Sequence, residues 1–170
     1  MVMGQFAATD SGKAIMKFFI SHKQEDAATA LRIEMELRKQ GIPVYLDVLD
    51  STVTSSGREM TEHIKEKIND CTDIIVIMSQ LTRLSQWVPF EVGIAAQRDL
   101  PTATFLRADI QLPEFLEYWP RLKYTSDILK YVAAKREVDM EYRNIYQFNQ
   151  YARPEAKTDR FYTVLKNRLE

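Results

Sequence analysis

Three side chains near the middle of the chain have types and a spacing that could do chemistry. The stretch SQWVPFE carries a hydroxyl at Ser85, an indole at Trp87 and a carboxylate at Glu91. Residues four apart share one face of a helix, so Glu91 is predicted to lie beside Trp87 and close to apolar Ile94. Because removing a carboxylate from water is costly unless something pairs with it, two interpretations are open. Glu91 stabilises a positive charge that develops in a reaction, or it is a helix-start carboxylate that interacts with the helix dipole.

Polar residues follow two apolar runs in the first third of the chain. Ser21, His22 and Lys23 come at the end of MKFFIS, and Asp47 ends IPVYLD. If both runs are strands of one parallel sheet, these residues lie at its carboxyl edge, where phosphate and ribose groups bind in many α/β proteins. An ordinary polar loop is the alternative, above all for His22, since a lone histidine is a weak signal.

Apolar runs that alternate with helical periodicity predict the elements that position these side chains. The strands are MKFFIS, IPVYLD, TDIIVIMS, PTATFLRA and a weaker RLKYTS, and helices follow each of the first three strands and the fifth. TDIIVIMS is continuously apolar, which is typical of a strand buried on both faces of a parallel sheet. We therefore predict an α/β, doubly wound (flavodoxin-like) fold with a parallel five-stranded sheet flanked by helices. Pro89 is compatible with the third helix only in its first turn.

The two ends of the chain are set apart from this pattern. Residues 1–15 show no periodicity and are interpreted as an N-terminal arm or a leftover of cloning. Residues 16–137 hold the alternating strands and helices. Residues 138–170 are predicted to form two extra C-terminal helices, MEYRNIYQFNQYA and TDRFYTVLKNRLE, that pack on the same domain.

Composition excludes several classes of protein. The 170 residues include 23 basic and 24 acidic ones, so no basic surface indicates a nucleic-acid or membrane partner. The longest apolar run, DIIVIM, is too short to cross a bilayer, and no secretory signal is visible, so a cytoplasmic location is expected. The one cysteine, Cys71, is predicted to be a small core residue.

Four segments carry a resemblance to a known family. FFISHKQED, VYLDVLD, DIIVIMS and SQWVPFE, in this order and spacing, together resemble a Toll/interleukin-1 receptor (TIR) domain over about residues 16–137. In the catalytic members of that family the third helix carries the pattern Ser-x-Trp-Cys-x-x-Glu. This sequence matches it at Ser85, Trp87 and Glu91, with Val88 where cysteine is common.

The resemblance implies an enzyme that cleaves NAD at the bond between nicotinamide and ribose. Glu91 would be the catalytic carboxylate, because one carboxylate can stabilise a ribosyl cation without a metal. NAD would be the substrate, and no cofactor or metal is expected. The substrate-binding residues that the resemblance implies are Phe19 beside the nicotinamide, Ser21, His22 and Lys23 near the pyrophosphate, Asp47 near a ribose, and Ser85 and Trp87 beside Glu91.

The same resemblance implies partners. Family members assemble through the segment that corresponds to residues 48–58, so self-association through this loop is expected. The chain looks like the bacterial stand-alone TIR proteins of anti-phage defence (Thoeris-like), which convert NAD into a cyclic or modified ADP-ribose that a separate effector protein reads.

Two alternatives stay open. The chain could be a non-catalytic scaffold for TIR–TIR interaction, or an enzyme similar to nucleoside deoxyribosyltransferases, whose glutamate acts as a covalent nucleophile. Other chemistry is poorly supported, since two histidines and one cysteine cannot build a standard zinc site. No phosphate-loop motif occurs among the five glycines.

Deleting residues 1–15 is expected to leave thermal stability nearly unchanged, because the segment has no apolar periodicity with which to pack. The measurement is the melting temperature of the shortened and full-length chains. A fall larger than the roughly 2–4 °C that about 1 kcal/mol produces in a domain of this size would place the arm within the folded structure.

Overall fold

The described residues form a parallel β-sheet with helices on both faces. The computed structural model describes residues 16–48, 56–148 and 154–170, with side chains for 16–47, 56–144 and 157–170. The strands are β1 (Phe18–His22), β2 (Val44–Val48), β3 (Asp73–Met78), β4 (Thr102–Leu106) and β5 (Arg121–Leu122). The helices are α1 (Ala27–Lys39), α2 (Gly57–Asn69), α3 (Trp87–Gln97), α4 (Glu114–Glu117), α5 (Thr125–Phe148) and α6 (Pro154–Leu169).

The strand order places a crevice at one edge of the sheet. The five strands run in the order β2-β1-β3-β4-β5, and every pair is parallel. The order reverses between β1 and β3, and ligands of open α/β sheets bind outside the carboxyl ends of the strands at such a point. The predicted fold class is confirmed, and residues that follow β1, β2 and β3 are the ones that can meet a ligand there.

Each face of the sheet has its own apolar core. One core joins β1 and β3 to α1, α5 and α6 through Ile20, Ile33, Ile75, Tyr131 and Phe161. The other joins the opposite sides of the same strands to α2 and α3, and its members include Phe19, Ile64, Ile74, Val76 and Val92. Burial on both faces explains why β3 is apolar at almost every position.

Local sequence sets the ends of the helices. Ser56 and Glu59 form a capping box at the start of α2, with Glu59 accepting from the Ser56 backbone N–H at 2.8 Å. Helix α1 ends before Gly41, whose φ of 72° is the left-handed conformation that glycine adopts without strain. Pro89 is the third residue of α3, within its first turn as predicted.

The C-terminal helices differ from the prediction. A break near residue 138 was expected, but α5 is one continuous helix of 24 residues, so this part of the prediction is wrong. Val138 is fully buried and continues the apolar stripe of Ile128, Tyr131 and Ala134 at helical spacing. Because no glycine or proline interrupts this stretch, nothing ends the helix, and the expected domain limit at 137/138 falls inside it.

Two segments that the sequence singled out are not part of this description. The N-terminal arm, residues 1–15, lies outside the described residues, and so do residues 49–55 of the loop expected to mediate self-association. Cys71, in contrast, is buried as predicted, and burial raises the pKa of its thiol to about 11.

Candidate functional site

Glu91 lies in the apolar layer between α3 and the sheet. Its side chain has no exposed surface, and its neighbours on α3, Val88, Val92 and Ala95, are buried core residues. Within the part of the chain that the structure describes, neither carboxyl oxygen of Glu91 has a hydrogen-bond partner. A helix-start carboxylate that only interacts with the helix dipole would lie in solvent. The burial of Glu91 therefore favours the other interpretation, in which the carboxylate stabilises a charge that develops in a reaction.

Two polar side chains from the sheet approach Glu91. Ser21 and Asp47 are register partners in the parallel pair of β1 and β2, so they lie side by side near the carboxyl edge. The Ser21 hydroxyl favours the ionised form of Glu91, and the Asp47 carboxyl disfavours it. Neither contact is a well-directed hydrogen bond, since the Ser21 hydroxyl is itself buried and without a partner among the described residues.

Burial dominates the acid–base properties of this group. The pKa of Glu91 is raised well above its ordinary value, first by desolvation and then by the negative charge of Asp47. The pKa of Asp47 is also raised by burial, against the lowering effects of Glu91, His63 and His22. The two carboxyls therefore interact strongly enough to titrate as a pair.

His22 is buried and uncharged near neutral pH. Burial lowers its pKa below the ordinary value, and its Nδ1 lies 3.4 Å from the backbone oxygen of Ile20. His63 is exposed, and its Nε2 lies 2.8 Å from the Tyr45 hydroxyl. Both histidines act on Asp47 through their charge when protonated.

Trp87 is the first residue of α3, one turn before Glu91, and Ser85 lies two positions before the helix. The backbone N–H of Trp87 donates to the Ser85 hydroxyl at 3.2 Å, so Ser85 helps to begin the helix. The Trp87 ring is partly exposed and contacts Phe90 edge to face, with ring centroids 5.9 Å apart. A partly exposed indole can stack on a ligand, and it also covers the core beneath it.

Phe19 is enclosed in the core, whereas Lys23 is accessible to solvent at the edge of the sheet. Phe19 has no exposed surface and stacks on Tyr45 at 5.6 Å between ring centroids, so its ring serves the core and contact with a ligand would require it to move. Lys23 is partly exposed directly after β1, at the carboxyl edge where it was expected.

A hydrogen-bonded cluster that sequence reasoning missed lies beside the crevice. Asp26 is almost fully buried and accepts from the Ser79 and Thr82 hydroxyls and from Arg107, each at 2.7 Å. These three bonds lower its pKa although burial acts in the opposite direction. The cluster ties the segments after β1, β3 and β4 together, which fixes the segment that follows His22. The sequence could have indicated this cluster, because its polar residues all follow the ends of predicted strands.

A cavity of about 290 Å³ opens over this cluster and is lined in part by Asp26, Ser79, Leu81 and Arg107. It lies at the carboxyl edge of the sheet, next to the point where the strand order reverses. Among the described residues, no group of three or more His, Cys, Asp or Glu side chains could hold a metal ion.

Comparison with known proteins identifies the family. A family model described as TIR domain matches residues 18–147, which is most of the chain. The chain belongs to the TIR domain family. TIR domains include NAD-cleaving enzymes and interaction scaffolds, and they commonly self-associate. A search of curated proteins finds no match.

Solved structures share the fold of this TIR domain. One is described as the structure of a metazoan TIR-STING receptor from C. gigas, which is 19% identical in sequence with a TM-score of 0.52. The match covers 66% of this chain and 38% of that chain, so this chain corresponds to well under half of the receptor's length. At this identity the likeness shows the fold alone. Within the described parts of the TIR domain, no helix is both long enough and apolar enough to cross a membrane.

Proposed function

We propose that this TIR domain cleaves NAD at the bond between nicotinamide and ribose, with Glu91 as the catalytic carboxylate. The observation that carries the proposal is the full burial of Glu91 without a hydrogen-bond partner among the described residues. A buried carboxyl without a partner destabilises a folded protein. Among the described residues, no contact of Glu91 offsets this loss of stability. A role in chemistry is the best explanation for its position.

The chemistry requires stabilisation of one positive charge. When the glycosidic bond breaks, its electron pair goes to the ring nitrogen of nicotinamide, which leaves neutral, and the ribose carbon becomes cation-like. An ionised Glu91 stabilises this centre, and the apolar surroundings of α3 strengthen its field because they exclude water. No metal or cofactor is needed for this step, since NAD itself is the substrate.

The neighbouring side chains supply the remaining contacts in this proposal. Ser21 and Asp47 flank Glu91 and would bind ribose hydroxyls, which requires the side chains that cover Ser21 and Glu91 to move, as for Phe19. Lys23 would meet the pyrophosphate at the carboxyl edge of the sheet. Trp87 stacks on a ring of the dinucleotide at the start of α3. Ser85 holds the first turn of α3, which fixes the position of Glu91 one turn later.

The product and its use are part of the same proposal. We propose that the protein acts with the bacterial TIR enzymes of anti-phage (Thoeris-like) defence, where a cyclic or modified ADP-ribose is read by a separate effector protein in the cytoplasm. The test is incubation of the purified protein with NAD, with nicotinamide and the ADP-ribose product identified by mass spectrometry. Absence of nicotinamide release at high protein concentration would favour the scaffold alternative.

Specific activity is expected to rise with protein concentration, because the proposal includes self-association through the loop at 48–58. An enzyme completed by a neighbouring copy gains activity as the assembled fraction grows. The measurement is nicotinamide release per milligram over a hundredfold range of concentration, with the oligomeric state followed by light scattering. Constant specific activity in a protein that stays monomeric would show that assembly is not required.

A further inference from the structure

Another cavity, far from the carboxyl edge of the sheet, is lined by aromatic rings. Its volume is about 280 Å³, and its lining residues come from the end of α3, the segment between α4 and β5, and the first half of α6. The rings are those of Tyr118, Trp119 and Tyr162. Two lining residues, Leu100 and Trp119, come shortly before β4 and β5. The cavity therefore lies at the amino ends of these strands, away from the site around Glu91.

The three rings stand nearly at right angles to one another where they touch. The centroid of Tyr118 lies 5.6 Å from that of Trp119, with 83° between the ring planes, and 6.5 Å from that of Tyr162, with 81°. Tyr162 is held in place because its hydroxyl accepts from the backbone N–H of Thr102 at 2.9 Å. The face of an aromatic ring attracts a cation that lies within about 6 Å of its centroid. A cavity with three such rings in its lining is suited to a cation.

The charges around the cavity also favour a cation. The charged lining residues that the structure describes, Asp99 and Asp159, are both acidic. Helix α3 ends at Gln97, two residues before Asp99, and the C-terminal end of a helix carries a partial negative charge. Two carboxylates, a helix end and the aromatic rings therefore contribute negative potential to the same cavity.

Asp99 occupies a backbone position at which glycine is the usual residue. Its φ of 52° lies in the left-handed region. The N–H of Asp99 donates three residues back and the N–H of Leu100 five residues back, and α1 ends in the same pattern with Gly41 at the position of Asp99. Aspartate is less favourable than glycine in this conformation. What aspartate adds is a carboxylate in the lining of the cavity.

We propose that this cavity binds a quaternary ammonium group, in which methyl groups surround a positively charged nitrogen. Both carboxylates are exposed, so a primary ammonium, which is strongly hydrated, would give up hydrogen bonds to water in order to contact the rings. A quaternary ammonium donates no hydrogen bond, and its methyl groups can pack on Tyr118 and Trp119. The volume is near the lower limit of roughly 300 Å³ for small-molecule pockets, which suits a single head group. This proposal does not depend on NAD cleavage.

The experiment is an NMR titration of the full chain, labelled at the tryptophan indole nitrogens, with choline. The chain has two tryptophans, and the signal that disappears in Trp119→Phe belongs to Trp119. We expect choline to shift this signal to saturation and to leave the Trp87 signal in place. The uncharged analogue 3,3-dimethyl-1-butanol, in which carbon replaces the nitrogen, should bind at least about tenfold more weakly. Equal affinity for the two compounds, or no shift of the Trp119 signal, would overturn the proposal.

A second titration distinguishes two sources of the same group. The amide of Nα-acetyl-trimethyllysine carries the quaternary ammonium on a protein side chain, whereas choline carries it on a small molecule. Tighter binding of choline would identify a small molecule as the source, and tighter binding of the lysine derivative would identify a methylated partner protein.

Variants of Asp99 separate its charge from its backbone conformation. Asp99→Asn keeps the side-chain size and tolerates the left-handed conformation, so choline affinity should fall by about fivefold or more through loss of the charge alone. Asp70→Asn is the matched control, because Asp70 is exposed at the end of α2, and its affinity should equal that of the wild type. Asp99→Gly should weaken choline binding to the same extent, with a melting temperature at least as high as that of the wild type. Wild-type affinity in Asp99→Asn, or a lower melting temperature in Asp99→Gly, would show that Asp99 serves the fold and would overturn the proposal.

Discussion

Glu91→Gln is expected to lower nicotinamide release from NAD by on the order of a hundredfold to a thousandfold, the usual loss when one preorganised electrostatic group is removed from a reaction centre. Glutamine has nearly the shape of the protonated carboxyl, so α3 should pack as before. Because Glu91 is fully buried without a described partner, losing its ionisable carboxyl should not lower the melting temperature. The loss should therefore appear in turnover and not in folding.

The measurement is the initial rate of nicotinamide release, with circular dichroism of each variant to show that it is folded. Glu117→Gln is a matched control, because Glu117 is exposed at the end of α4 and forms no hydrogen bond or salt bridge among the described residues. Its rate should equal that of the wild type. A folded Glu91→Gln protein that releases nicotinamide at the wild-type rate would remove Glu91 from the chemistry and leave the scaffold function as the better explanation.

Asp73→Ala is expected to destabilise the domain by about 3–5 kcal/mol, the typical cost of breaking a buried charge pair from one side. The Asp73 side chain is fully buried at the start of β3. It accepts from the Tyr131 hydroxyl at 2.8 Å and pairs with the Lys135 ammonium at 2.9 Å. Alanine would leave both groups of α5 without this acceptor. In a domain of this size the melting temperature should fall by roughly 6–20 °C.

Thermal and urea denaturation followed by circular dichroism measure this loss. The double variant Asp73→Ala/Lys135→Met should be more stable than Asp73→Ala alone, because it also removes the ammonium left without its partner. Asp159→Asn, an exposed change on α6, is the control and should change stability by less than about 0.5 kcal/mol. If Asp73→Ala lowers the free energy of unfolding by less than about 1 kcal/mol, the contacts of Asp73 with Tyr131 and Lys135 contribute little to the stability of the fold.

The candidate site was only partly visible in the sequence. The spacing of Ser85, Trp87 and Glu91 showed that a carboxylate lies on an apolar helical face. The sequence did not show that the face is fully closed to solvent, nor that Asp47 and Ser21 approach Glu91 without bonding to it. It also suggested Phe19 as a ligand contact, whereas the ring is covered by the core. Whether a side chain is covered depends on what packs against it, and that partner comes from another element.

What the sequence by itself determined is the local pattern. A continuous apolar run such as β3 specifies a strand buried on both faces, Gly41 specifies the end of α1, and Pro89 specifies the first turn of α3, because each depends on periodicity or on one residue's backbone. The tertiary structure alone decided which distant groups meet. Asp26 joins Ser79 across 53 positions and Arg107 across 81, and Asp73 joins Lys135 across 62. Such contacts form only when strands and helices that are far apart in the sequence pack against each other. Local propensity does not specify which of these distant elements meet.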